Sequence, residues 1–213
     1  MGSGFHTWDI GKRSADSLNQ AERDIYLKTH IPYRMTSVDG MRYVCGHLAA
    51  FGEGGPIQLH LPPAPTITSP TIRILSNPVI EVGAIYCRVL LEFLGLGLED
   101  GQLAERTNRR GDDVGIEDFD LPRVTLADLD AVASDHSDIR AYCATTVYVA
   151  HKAIAHLTNA PVDLETIPHV HDCGLATLRL MERHLYEALG RPVPDYRQWP
   201  LPRPRPDEGN KGA

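Results

Sequence analysis

Ten histidines and four cysteines are the residues of this 213-residue chain best suited to proton transfer, nucleophilic attack or metal ligation. Their spacing separates those roles. His151 and His156 are five apart, about 140° around a helix, so they cannot grip one ion from a single face as an i, i+4 pair does. Lys152 and His156 do share a face, which suits an ammonium and an imidazole working on one phosphate. His169, His171, Asp172 and Cys173 form the densest group of potential metal ligands. No second tight pair completes a metal site, so neither a metal nor a cofactor is expected. A buried, hydrogen-bonded role for His156 is the plain alternative to chemistry.

Arg88 is the other candidate. From Val79 to Leu96 almost every residue is apolar, and only Glu81, Arg88 and Glu92 carry charge. At 100° per residue these three fall within about 20° of one line, one polar stripe on an otherwise buried helix. The stripe has two readings. Arg88 pairs with Glu92 on the helix surface, or it faces a cleft where its guanidinium takes a phosphate or carboxylate. Asp112, Asp113, Glu117 and Asp118 lack the alternating ligands of a calcium loop and read as capping or as partners of Arg109 and Arg110.

The elements that must carry these residues are helices. Five prolines lie between 56 and 70 and six between 192 and 206, while only Pro122 interrupts 79 to 160. The expected core helices are 79–96, 139–157 and 166–189, the last capped by Asp163 or Thr166 and stopped at Gly190 and Pro192. Two amphipathic helices precede them. The first is capped by Ser14 and ended by Pro32, and the second runs from Met35 to Phe51. Residues 52–78 read as a loop or small hairpin built on Ile57 to Leu61 and Thr66 to Leu75. The reading is an all-α antiparallel helical bundle, one domain over 1–190, with an acidic connector at 99–138 and a Pro-rich flexible tail at 191–213.

Composition narrows the function classes. The net charge of −7 is concentrated in residues 99–138, where twelve acids meet four basic residues; the rest is close to neutral. No basic stripe is present, which argues against sequence-specific binding of duplex DNA. Cys45, Cys87, Cys143 and Cys173 form no C-x-x-C pair and have apolar neighbours. They read as buried reduced thiols of a cytoplasmic protein. No signal peptide and no apolar run of about 20 residues is apparent, so no membrane partner is expected.

Three segments carry a resemblance: Tyr86-Cys87-Arg88-Val89-Leu90-Leu91-Glu92-Phe93-Leu94, Asp112-Asp113-Val114-Gly115-Ile116-Glu117-Asp118-Phe119, and His151-Lys152-Ala153-Ile154-Ala155-His156-Leu157-Thr158. In order and separation they resemble a group of uncharacterised all-helical bacterial proteins, over roughly residues 75–190. The third segment also resembles the signature helix of HEPN domains, helical bundles that include metal-independent RNases of toxin and phage-defence systems. The resemblance implies RNA or nucleotide binding, with His156 as the histidine of that motif. Ala150 stands where the motif has arginine, so Arg88 would have to supply the guanidinium beside His151, Lys152 and His156. The competing expectation is a noncatalytic interaction module whose acidic 99–138 segment meets a protein partner, a homodimer being another form of it.

Overall fold

The computed structural model describes residues 18–52, 56–60, 62–106, 110, 113–154 and 167–197. The described residues are mostly helical, with two short antiparallel strand pairs among them.

Helix α1 (Gln20–Ile25) starts at Asn19, whose side chain accepts the Glu22 N–H at 3.0 Å while Glu22 accepts the Asn19 N–H at 2.9 Å. This reciprocal box satisfies two of the N–H groups that a helix start leaves bare. The expected cap, Ser14, lies outside the described residues. Pro32 does not end the helix either. A π-helical turn (Tyr26–His30) runs directly into α2 (Ile31–Phe51), and Pro32 sits in the first turn of α2, where a missing N–H is best tolerated. The widened turn pairs the Ile31 N–H with the Tyr26 carbonyl. Pro32 has no N–H to offer Leu27, and there the buried Tyr186 hydroxyl donates instead, at 3.0 Å.

Strands β1 (Ile57–Leu59) and β2 (Ile67–Ser69) pair within the expected hairpin region. Helix α3 (Arg73–Leu94) begins six residues earlier than its apolar run suggests and holds Pro78 inside. Gly95, at φ +99°, stops it in the left-handed conformation that glycine adopts without strain. The chain then turns back as a second hairpin, β3 (Leu96–Glu99) and β4 (Gln102–Glu105), about a two-residue Asp100-Gly101 turn with positive φ at both residues.

The acidic segment is therefore more than a connector. It contains β4, a 3-10 turn (Ile116–Phe119) and helix α4 (Leu126–Val132), the last capped by Thr125 and Asp128. Its apolar residues Leu103, Ile116, Phe119, Val124 and Leu129 join the main core, which turns many of its acids outward. Helix α5 (Ile139–Tyr148) passes into a second π-helical turn (Val149–Ile154), and α6 (Ile167–Met181) into a third (Glu182–Glu187).

Helix α2 packs on α3 and α6, and α5 on α6 and α3. Two glycines set the closeness of this packing. A Cβ on Gly83 would fall 2.2 Å from Met41 Cβ, and one on Gly174 would fall 2.8 Å from Met41 Cε. Met41 is thus wedged between α3 and α6 with no space for a further methyl group.

Residues 191–197, expected in the flexible tail, include a docked side chain. Tyr196 is buried, its hydroxyl bonds Glu182, and Arg197 reaches the same carboxylate at 2.7 Å. Burial pushes the Tyr196 phenol up to about 12. Among the described helices α3 is the one long and apolar enough to cross a membrane by length and composition, 22 residues where the sequence suggested a shorter run. Its Ala84, Cys87, Leu91 and Leu94 are fully buried against neighbouring helices, which gives that apolarity a cause within the fold.

Candidate functional site

A cavity of about 290 Å³ opens where the first π-helical turn, α3 and the acidic segment meet. The π turn matters here because its extra residue rotates Tyr26 and His30 relative to a regular helix, and such turns recur at functional sites. Both line the cavity, with ring centroids 5.1 Å apart. Arg34 follows one turn later, donating to the His30 carbonyl at 2.7 Å and lying over the Tyr86 ring at 5.5 Å. From α3 come Leu90, Glu92 and Phe93, and from the acidic segment Arg106, Asp113 and Arg123.

Close backbone approach places two of the arginines. Arg106 donates its N–H to the Gly95 carbonyl at 2.8 Å, and a Cβ on Gly97 would fall 2.4 Å from Arg106 Cδ, so glycine leaves the side chain room to lie across the hairpin. Arg123 bonds both Glu117 and the Arg106 carbonyl, fixing the loop across the cavity wall.

The charges there are not all paired. Glu92 is shared by Arg88 at 3.0 Å and Arg106 at 3.5 Å, and Glu117 is taken by Arg123. Arg34 has no carboxylate partner among the described residues, and Asp113 has no cation. Three guanidinium groups, Arg34, Arg106 and Arg123, line the cavity with three carboxylates, Glu92, Asp113 and Glu117, and Arg88 draws on Glu92 from outside it. A half-buried guanidinium that, among the described residues, donates only to the His30 carbonyl is a ready receptor for an oxyanion.

Of the residues weighed in the sequence, Glu92, Asp113 and Glu117 line the cavity, while the catalytic and metal candidates fall elsewhere. Arg88 makes the Glu92 ion pair, both side chains about one-third exposed, and does not line the cavity; it touches the site only through Glu92. His151 is exposed on the second π turn, which packs against α3. Lys152 belongs to the same turn, with its side chain outside the described residues, and His156 lies outside them altogether. Of the metal candidates, His169 stacks on Tyr142 with centroids 4.4 Å apart, and His171 bonds Asp172 at 2.9 Å. Among the described residues no three His, Cys, Asp or Glu side chains are arranged to hold a metal ion.

The four cysteines, dispersed in sequence, are all free and buried. Cys87, Cys143 and Cys173 come together from α3, α5 and α6. Burial pushes the Cys45 thiol up to about 12 and Cys87 well above its ordinary value. Cys45 and Cys87 are therefore poor nucleophiles.

Arg34 and Arg106 were not singled out by sequence reasoning. A signal did exist for Arg34, in Tyr26, His30 and Arg34 recurring every four residues on one helix face. No protein-family model matches the chain, and no curated protein or solved structure is detectably similar to it.

Proposed function

We propose that this chain is a cytoplasmic, HEPN-like helical bundle that binds RNA or a nucleotide, with a phosphate held at Arg34. The observation that carries the reading is the Arg34 guanidinium, which lines a 290 Å³ cavity without a carboxylate partner among the described residues. Ile31, Leu90 and Phe93 in the same wall offer the apolar surface that a base or ribose covers. The four free cysteines support the reducing compartment.

The test is calorimetric titration of the purified protein with a nucleoside monophosphate and with inorganic phosphate. Binding by wild type and at least tenfold weaker binding by Arg34→Ala are expected, with unchanged melting of the apo-protein. Absence of binding by folded wild type removes the reading.

The catalytic form of this proposal is a metal-independent endoribonuclease of a toxin or phage-defence system, using Arg88, His151, Lys152 and His156. Packing of the His151-bearing turn against the Arg88 helix favours it. Arg88 would then have to exchange Glu92 for a scissile phosphate. Total RNA incubated without metal is expected to be cleaved by wild type and left intact by Arg88→Ala and His156→Ala; uncleaved RNA with clean wild type leaves the binding function alone.

A further inference from the structure

Arg34 and Asp113 line one cavity, yet neither has an ion-pair partner among the described residues and they do not pair with each other. The other two lining carboxylates are already engaged, Glu92 by Arg88 and Arg106 and Glu117 by Arg123. A cavity presenting one unpaired guanidinium and one unpaired carboxylate fits a ligand with an anionic group at one point and N–H donors at another. Leu90, Phe93 and Val114 line the same space and suit a flat, largely apolar ring.

We infer that the nucleotide is a guanine nucleotide, its phosphate on Arg34 and its base read by Asp113. The inference rests on the phosphate-binding reading above. Guanine carries two adjacent donors on its pairing edge, the ring N1–H and the exocyclic amino group, and these match the two oxygens of one carboxylate. Adenine and cytosine present an unprotonated ring nitrogen at the corresponding position, which points a lone pair at a carboxylate oxygen. Uracil has one N–H flanked by two carbonyls. Asp113 therefore selects by repulsion as well as by attraction. Its position favours this role, because it follows the hairpin and precedes the 3-10 turn, where the Gly115 N–H is tied to Asp118 at 2.8 Å and Ile116 is buried. That anchoring holds the segment without using the Asp113 side chain.

Isothermal titration with GMP, AMP, IMP and inorganic phosphate on wild type, Asp113→Asn and Arg34→Ala tests the inference. GMP is expected to bind at least tenfold more tightly than AMP, with IMP, which lacks the exocyclic amino group, in between. Asp113→Asn is expected to bring GMP down to the AMP level while leaving AMP unchanged, and Arg34→Ala to weaken every nucleotide alike. Equal GMP and AMP affinities in wild type, or a GMP preference that survives Asp113→Asn, overturn the guanine inference and leave phosphate binding standing. No binding of any nucleotide by folded wild type overturns both.

Discussion

Replacing Gly83 by alanine tests how closely α2 and α3 approach beneath the cavity. The new Cβ would lie 2.2 Å from Met41 Cβ and 2.8 Å from its Cγ and Sδ. Carbon atoms in contact sit about 3.5–4.0 Å apart, so the overlap exceeds 1 Å. Met41 Cβ is bonded to the α2 backbone, and no rotamer change moves it. Relief requires the helices to separate, and Met41 is already backed by Gly174 on α6, where space is equally short. Overpacking of this kind costs about 3 kcal/mol, the upper end of its usual range. Alanine returns about 1 kcal/mol through its better helix propensity. The net loss is about 2 kcal/mol, which for a chain of this size lowers Tm by about 4–8 °C. Thermal melts followed by circular dichroism at 222 nm read this directly. Gly101→Ala serves as a control, since Gly101 has φ +80° but nothing within 4 Å, and should lose only the strain of a left-handed residue, about 1 kcal/mol. A Gly83→Ala melt at or above that of wild type refutes the close approach and with it the placement of α3 behind the cavity.

Two further outcomes follow from single hydrogen bonds. Tyr186→Phe leaves the Leu27 carbonyl without its donor opposite Pro32, and should cost about 1–3 kcal/mol while the ring packing is kept; an unchanged melting temperature sinks this account of how Pro32 is accommodated. Asp128 accepts both the Thr125 N–H, at 2.9 Å, and the Thr125 hydroxyl, at 2.7 Å, and these bonds hold its carboxyl below the ordinary value. Its contribution is complete above the unfolded value of about 3.9 and is lost as pH falls through the lower folded value. Asp128→Asn should therefore melt about 2–4 °C below wild type at pH 7, from a cap worth about 1 kcal/mol, and the gap should close by pH 2. A gap that stays constant across that range contradicts the assignment.

Local pattern was enough for much of the architecture. The apolar run after Val79 and the proline clusters dictate helices whatever lies around them, because burying such a face and sparing backbone N–H groups are properties of the segment itself. The β1–β2 hairpin was legible for the same reason, and so was the Arg88–Glu92 pair as one of two readings, being four residues apart on one face. The Asp100-Gly101 turn signal was equally present, and the second hairpin it specifies was masked by the density of acidic residues around it.

Tertiary structure decided the rest. Pro32 reads as a stop in sequence, and becomes tolerable through a widened turn and a hydroxyl that Tyr186 donates to Leu27, 159 positions away in the chain. The acidic segment reads as solvated because charge dominates its composition, yet its spaced apolar residues are enough to bind it to the core. The cavity was the least legible feature, since its charge balance depends on which carboxylate each arginine reaches. Glu92 takes two guanidiniums, one from its own helix and one from beyond the β3–β4 hairpin, while Arg34 and Asp113 have no ion-pair partner among the described residues. Local spacing determines which side chains share a face, but ion pairing between elements is set by distances that exist only once the helices have packed.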